Sequence, residues 1–516
     1  MAADNWTIDH RELVQVASRR MPAPVPGDLG RAIEGGSIDA IVSSSVVGGR
    51  DRSGPVAGRV GVGDTVDGMR IAVVGGGISG LVAAYRLRVL LGSEADILVL
   101  DRAERVGGIL YTGEVAGEPL DLGAEAFVGR RPEVPQLLRE VGLESQLVTP
   151  AGLRPLVWSG GVAHALPERT LMGIPADAES MRGLVDAETV ERIAGESRRP
   201  LAWEPGADVD VYRLIADRFG AQVAERSVDP LLGGVYAGSS RSIGVRAALP
   251  TLAAALDDGA PSLTHAVSVA LPPPSSAPVF GGLRDGYQVL LEVLAARSGA
   301  KFVTATPATR LARGLRGWVV DPIGAVDAVV LATPAPVTAR LLVTVAPDAA
   351  AALAGIELSS SVVVALALPR DTALPQNSGV LVATGEPLRA KAFTLSSRKW
   401  THLAERETAL VRASFGKFGD DSTLSWSDAD LITAAAEDLS TVTGVPIEPV
   451  SAVVQRWRGG LAQYAPGHID RVAAIEQAVA PLDGLALTGA YLHGVGVPAC
   501  VASATTAAHH IATTAT

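Results

Sequence analysis

Arg70-Ile-Ala-Val-Val-Gly75-Gly-Gly77-Ile-Ser-Gly80-Leu-Val-Ala-Ala-Tyr-Arg86 decides how this chain folds. A run of β-formers leads into a G-x-G-x-x-G turn, and a helix-forming segment follows. Gly75 allows the tight turn, Gly77 lets backbone N–H groups approach a pyrophosphate, and Gly80 lets the helix lie close on the strand. The helix N-terminus then faces the phosphates with the positive end of its dipole. A glycine-rich turn alone is as often an ordinary turn. Here a second strand, Ala95-Asp-Ile-Leu-Val-Leu-Asp101, ends in an acid about twenty residues after the glycines, the separation of a ribose-hydroxyl ligand. The two together predict a dinucleotide-binding βαβ unit.

The totals agree with a large globular protein. At 516 residues the chain has room for two or three domains, and 48% hydrophobic content supplies their cores, mostly as Ala, Val and Leu because aromatics are only 4%. A net charge of −11 without a basic run excludes nucleic acid as a partner. Cys500 is the single cysteine, so no internal disulfide can form and a reducing, cytoplasmic compartment is expected. Of 44 basic residues only Lys301, Lys391, Lys399 and Lys417 are lysine, which marks a high-GC, actinobacterial-type genome. No transmembrane segment is expected. The apolar stretch 325–350 is broken by Asp327, Pro334, Pro336 and Arg340, short of the ~18–20 clean residues a span needs. The N-terminus lacks the basic and apolar regions of a signal peptide. Peripheral membrane contact stays open.

Residues 1–68 differ from the rest. Residues 34–68 are rich in Gly, Ser, Val and Asp without period, and only Asp9–Arg20 could form a short helix. They read as a disordered extension, or as sequence upstream of a true start at Met69, with a small docking arm as the alternative. From there the pattern divides the chain into a nucleotide-binding part at 69–135, an inserted, mainly helical substrate segment at 136–277, a return to the nucleotide domain at 278–350, a second sheet at 351–454 and a last nucleotide-binding part at 455–516. Pro132–Val141 reads as a helix ended by Gly142, and Tyr287–Arg297 and Asp428–Thr443 as further helices. Val209–Arg218 and Val223–Asp229 are helical, with Gly233-Gly234 punctuating the end. Residues 272–278 form a loop. Lys301–Val303, Gly317–Asp321, Ala328–Ala332 and Leu485–Thr488 read as strands around the nucleotide domain. Ser361–Leu368, Gly379–Ala383 and Leu410–Phe415 belong to the second sheet.

Three further passages carry chemistry. In Arg102-Ala-Glu-Arg105-Val-Gly107-Gly108 the glycine pair lets backbone lie against a second phosphate or a ribityl chain, and Arg105 can neutralise charge; a surface turn is the alternative. Leu120-Asp-Leu-Gly123-Ala-Glu-Ala-Phe127 is a run of small residues suited to a flat ring packed on backbone. Leu487-Thr-Gly489-Ala-Tyr-Leu-His-Gly494-Val-Gly496-Val-Pro498 is a strand, a glycine-rich turn and the start of a helix of small residues, whose N-terminus can face another polar edge of a cofactor. A nucleotide site assembled from both chain ends resembles FAD enzymes of the amine-oxidase type.

The middle of the chain narrows the resemblance. Val228-Asp-Pro-Leu-Leu-Gly-Gly-Val-Tyr-Ala-Gly-Ser-Ser-Arg-Ser-Ile-Gly, Ser397-Arg-Lys-Trp400-Thr-His402 and Gln455-Arg-Trp457-Arg-Gly-Gly-Leu-Ala-Gln-Tyr464-Ala-Pro-Gly-His468 resemble the signature passages of the protoporphyrinogen/coproporphyrinogen oxidase family. The likeness spans 69–512 in consistent order. It implies an α/β fold: a Rossmann-like FAD-binding domain of the amine-oxidase/p-hydroxybenzoate-hydroxylase type, a substrate-binding mixed sheet and an inserted helical domain. It implies FAD held by Gly75, Gly76, Gly77, Ile78, Ser79 and Gly80, by Asp101, Arg102, Arg105, Gly107 and Gly108, by Gly123, Ala124, Glu125 and Ala126, by Ala308 and Trp457, and by Gly489, Val495, Gly496 and Val497. The chain departs from the family at four places. Asp101 stands where Glu is usual, Ile109 where Lys or Arg often follows the glycine pair, Ala462 where Pro is usual, and Ala308 where Val commonly meets the adenine.

The implied reaction takes six electrons from a porphyrinogen in three two-electron steps, with hydride passing to flavin N5 and O₂ reduced to H₂O₂. No catalytic side chain is identified, and no metal-ligand cluster is expected. His493 reads as a turn residue, with a place near the ring as the alternative, Cys500 as packing, and Trp457 and Tyr464 as walls of the ring and substrate space, with buried core positions as the alternative. Arg131, with Arg130, lies just past the ring passage and is a candidate propionate contact; a solvated basic pair is the alternative. Coproporphyrinogen III, with four propionates, is favoured over protoporphyrinogen IX, with two. A flavin amine oxidase or carotenoid desaturase, and a non-catalytic FAD-binding protein, remain as rivals. A transient contact with the next haem-pathway enzyme is expected.

Overall fold

The computed structural model describes residues 68–514 except Pro274 and Ser276, all within the unit Thr65–Thr516. Residues 1–67 of the extension read at 1–68, with the helix expected at Asp9–Arg20, lie outside the described residues.

Arg70–Val74 is the central strand of a five-stranded parallel sheet. Asp96–Leu100 and then Lys301–Val303 flank it on one side, Ala328–Leu331 and then Leu485–Leu487 on the other. Both faces are covered, as the unbroken aliphatic runs require. Ile71, Val73, Ile97 and Val99 pack under the helices Ile78–Leu91, Gln288–Ser298 and Val497–Thr514. Ala72, Val74, Leu98, Leu100, Val329 and Leu331 pack on the other face, with Leu311, Trp318 and Val320 of a three-stranded antiparallel sheet. Chain order reverses direction at the central strand, so the crevice beyond its carboxyl end, at Gly75, is the topological switch point where such sheets bind ligands.

The second sheet has seven strands in the order Ser451–Ala462, Leu358–Pro369, Thr408–Phe415, Ala392–Thr394, Gly379–Val382, Leu156–Ser159 and Val162–Ala165. Its Val362, Val364, Leu366 and Val411 bury one face under the helix Asp428–Thr443, which Ser427 caps and Gly444 ends in a left-handed turn. Ala365, Ala367 and Leu410 bury the other face against Leu120, Leu122 and Trp400. The two sheets therefore meet at the small-residue passage. The boundary read at 454/455 falls inside the strand Ser451–Ala462, and the hairpin Leu156–Ala165, placed by sequence in the inserted segment, completes this sheet.

The inserted segment is helical, and its helices at Ala187–Ala194, Val211–Phe219 and Leu263–Ala270 open on capping side chains of Asp186, Asp210 and Ser262. One expectation needs correcting. Helix continues from Ala221 through a π turn at Ala224–Val228 and on to Tyr236, straight through Gly233-Gly234. Glycine costs about 1 kcal/mol per helical position, but Leu232 and Tyr236 are buried and hold the turn in place. The stop comes at Ala237, whose φ of 46° is left-handed.

Candidate functional site

The crevice at the switch point is lined by backbone. Gly75 has φ 107°, donates its N–H to Leu100 O at 2.7 Å, and would drive a Cβ to 2.6 Å from Ala332 O. A Cβ on Gly80 would lie 1.8 Å from Gly75 O, so that glycine closes helix onto strand. Gly77 differs: its φ of −71° suits any residue, and a Cβ there would meet nothing nearer than Gly108 Cα at 4.0 Å. Gly77 bridges Gly107, whose N–H donates to Gly76 O at 2.7 Å, so the two glycine turns face each other as one bare cradle. Asp101 stands at its rim, accepting Gly76 N–H at 2.7 Å and Ala103 N–H at 2.8 Å. The loop carrying Ala308 runs beside it, with Thr306 N–H on Asp101 O at 2.8 Å. Arg102 is exposed beyond the rim. Arg105 turns back instead, donating to Gly108 O at 2.9 Å and stacking on Tyr111 at 4.4 Å, so it shapes the second glycine turn.

The C-terminal turn closes the same crevice. Gly489 and Gly494 have φ of 142° and 144°. Thr488 N–H joins Leu331 O at 2.9 Å, and the helix from Val497 sets its first turn beside that of Ile78–Leu91, where Ser79 hydrogen-bonds the buried Cys500 thiol. Burial pushes that thiol up to about 11, which leaves Cys500 a packing residue. Val495, Gly496 and Val497 thus stand at the N-terminus of a second helix, beside that of Ile78–Leu91. Tyr464, expected as a wall of the substrate space, lies behind this turn: it is 3% exposed, donates to Ala490 O at 2.8 Å and accepts Gly494 N–H at 2.7 Å. His468 stacks on it at 3.8 Å and reaches Leu492 O. His493 points outward to Glu476, at 2.6 Å.

The passage Leu120–Phe127 is clamped by side chains of the second sheet. Trp457 donates its indole N–H to Leu122 O at 2.8 Å. Its strand slips register between Ser359 and Ser361, beside its partner Ser361, and such irregularities re-aim side chains. Arg412 donates to Gly123 O at 2.5 Å. Glu125 receives Lys399 at 2.7 Å and Ser396 at 2.6 Å, with Arg412 3.8 Å away. Burial would raise its pKa, but Lys399 and Arg412 outweigh that and bring it to about 2. Next to it, burial pushes Asp121 up to about 6 despite hydrogen bonds from Thr112 and the Tyr287 N–H. Ala124 and Ala126 keep the passage flat between these anchors. A Cβ on Gly123 would strike Ile109 O at 1.8 Å, so the glycine-pair turn, this passage and Trp457 pack as one wall. Ile109, where a cation is usual, lies against Gly460 of the same strand, apolar on apolar.

Arg130 and Arg131 are not part of that wall. Arg130 donates to Ala277 O at 3.2 Å. Arg131 pairs with Glu133 and is half-exposed, at the rim of a cavity of about 450 Å³ lined also by Leu487, Leu492, His493, Ser503 and His510. Among the described residues no cluster of His, Cys, Asp or Glu could hold a metal ion, and no helix is long and apolar enough to cross a membrane.

Sequence reading missed Arg412, Lys399 and Gln463 as site builders. Gln463 ties Tyr236 O, at 2.8 Å, to the Ser359 hydroxyl, locking the end of the inserted helix to the sheet. Arg412 had a signal: a lone cation inside the apolar strand Leu410–Phe415. The bare cradle, the rim acid and the flat clamped wall fit an extended dinucleotide ending in a planar ring. Arg412, whose Nη2 holds Gly123 O of that wall, keeps its Nε buried and without a partner among the described residues.

Comparison with known proteins gives the same frame. The model of flavin-containing amine oxidoreductases matches residues 78–512. A Mycobacterium leprae protein named coproporphyrinogen III oxidase is 53% identical over 436 residues, covering 84% of this chain and 96% of that protein. A rice protein named chloroplastic protoporphyrinogen oxidase is 26% identical, covering 85% and 87%. A crystal structure from Exiguobacterium sp. superposes with a TM-score of 0.77 at 28% identity, covering 86% of this chain and 99% of that one.

Proposed function

The chain belongs to the flavin-containing amine oxidoreductase family, and from that premise we propose that it is an FAD-dependent oxidase converting coproporphyrinogen III to coproporphyrin III, with O₂ as acceptor and H₂O₂ as co-product. The single observation that carries the substrate is the 53% identity over 436 residues to the mycobacterial coproporphyrinogen III oxidase.

In this reading Gly75–Gly80 and the facing Gly107–Gly108 take the pyrophosphate, and Asp101 takes a ribose hydroxyl. Ala308 lies on the adenine side. Residues 123–126, Trp457 and the turn 489–497 hold the ring. FAD, when bound, supplies the hydride acceptor at N5. The protein's part is orientation and exclusion. Trp457 and Arg412 fix the carbonyls of Leu122 and Gly123, so the ring meets a surface that cannot shift. Tyr464 locks the opposing turn through Ala490 and Gly494. Arg131, exposed beyond the passage, is the proposed propionate contact, exchanging its Glu133 partner for the ligand's carboxylate. The site lies in a protein of the cytoplasm that hands its product to the next enzyme of haem synthesis by transient contact.

The test is aerobic turnover. Purified protein given coproporphyrinogen III should release H₂O₂ in step with porphyrin fluorescence, three equivalents per porphyrin, and should release none with a monoamine or polyamine. H₂O₂ from an amine, or preference for protoporphyrinogen IX, would replace this substrate assignment.

A further inference from the structure

Glu125, Ser396, Lys399 and Arg412 meet in one buried cluster between the clamped passage and the seven-stranded sheet. Lys399 is 18%, Glu125 9% and Arg412 11% exposed. Such burial contrasts with most ion pairs of this chain, whose cationic partners lie at the surface. Another deeply buried pair, Glu196 with Arg218, has a plain structural purpose: Glu196 also accepts the N–H groups of Leu263 and Thr264, stitching two helices. Among the described residues Glu125 accepts from no backbone donor. Its partners are a hydroxyl and two cations: Ser396 and Lys399 from the short helix Ser396–Lys399, and Arg412 from the strand Thr408–Phe415, and it sits in the run of residues assigned to the ring. Lys399 comes from the Ser397–His402 motif, which the binding of FAD by itself does not explain.

Charge gives the cluster a consequence. Each two-electron step takes a hydride from the porphyrinogen's methylene carbon and releases one proton. The ring, neutral when oxidised, gains one negative charge; O₂ then takes the two electrons with two protons to give H₂O₂. A bare carboxylate beside the ring would oppose that gain, and in a buried site little water screens it. We propose that Lys399, a positioning residue seated on Glu125 with Ser396 and Arg412, sets the reduction potential of the bound flavin by cancelling the Glu125 charge. This rests on the placement of the ring against residues 123–126 argued above.

The test uses the full-length FAD-loaded protein and dye-equilibrated anaerobic titration. Lys399→Met removes the cation and keeps the bulk. It should lower the equilibrium constant for two-electron reduction about tenfold, roughly 30 mV. Glu125→Gln should shift it in the opposite direction. Lys399→Arg should stay within a few-fold of the parent. Opposite signs are required: a merely structural cluster would loosen FAD in both variants and leave their potentials alone, and that outcome overturns the proposal. Should Lys399→Met not fold, the sign of the Glu125→Gln shift decides by itself. A parent protein that retains no FAD overturns the flavin reading and this inference together, whereas loaded variants with unchanged potentials overturn this inference alone.

Discussion

On one side of the crevice Gly75, Gly77, Gly107 and Gly108 present backbone with no side chains; on the other, Trp457 and Arg412 from a different sheet, with Lys399 from the short helix Ser396–Lys399, pin carbonyls and a carboxylate. The first side works by what is left out, because phosphate oxygens need close approach to N–H groups. The second works by what is put in, because a planar ring needs a wall whose charge and position are fixed. A substitution on the first side should therefore abolish binding, and one on the second should tune it.

The largest effect is expected at Gly77. Its φ is ordinary and the space beside it is open, so Gly77→Val should fold with an almost unchanged melting temperature yet purify colourless. A yellow Gly77→Val protein with stoichiometric FAD would move the dinucleotide elsewhere. Gly80→Val is the control, since its Cβ would strike Gly75 O and damage the fold itself.

Asp121 probes the second side through pH. Burial holds its pKa at about 6, against an ordinary value of 3.8. Between those values the native protein keeps a proton that the unfolded chain has lost, so this residue makes stability fall as pH rises from about 4 to about 6, by ~3 kcal/mol in total. Asp121→Asn should flatten that slope in urea midpoints measured across the same range. Parallel slopes for both proteins would mean that Asp121 titrates normally.

Arg131 tests the substrate mouth. Arg131→Ala should cut kcat/KM for coproporphyrinogen III by ~1.5–3 kcal/mol, and for protoporphyrinogen IX by less, since a charged hydrogen bond is lost to a carboxylate that only the former presents. FAD content should not change, and Arg131→Lys should recover part of the loss. Equal losses for both substrates would point to a shared propionate or to support of the fold.

Trp457→Phe should give the smallest change. It removes one hydrogen bond to Leu122 O, worth ~1 kcal/mol, so FAD should bind about fivefold more weakly. An unaltered Kd would show that the passage holds its shape without the indole.

The same contrast explains how much could be read from residues alone. The cradle is local: strand, glycine turn, helix and rim acid lie within about thirty residues, and each glycine answers to a stated backbone need. The strands of the parallel sheet, the helix ended by Gly142 and three strands of the second sheet were readable from period and punctuation for the same reason, whereas the hairpin Leu156–Ala165 and the strand Ser451–Ala462 join that sheet only through distant pairing. The wall is not local. Trp457 meets Leu122 across 335 positions and Lys399 meets Glu125 across 274, and no spacing rule links them. Gly233-Gly234 failed as a stop because packing of Leu232 and Tyr236 overrode propensity. Tyr464 looked like a ring wall because its aromatic ring was visible in the motif, while the backbone groups of Ala490 and Gly494 that claim its hydroxyl were not.

The account stands most directly on one measurement: anaerobic mixing of the FAD-loaded protein with coproporphyrinogen III and, separately, with protoporphyrinogen IX, followed by flavin absorbance. Rapid bleaching with coproporphyrinogen III, slower bleaching with protoporphyrinogen IX, and recovery of the oxidised spectrum on admitting O₂ is the predicted result. A yellow protein that neither porphyrinogen bleaches would contradict it.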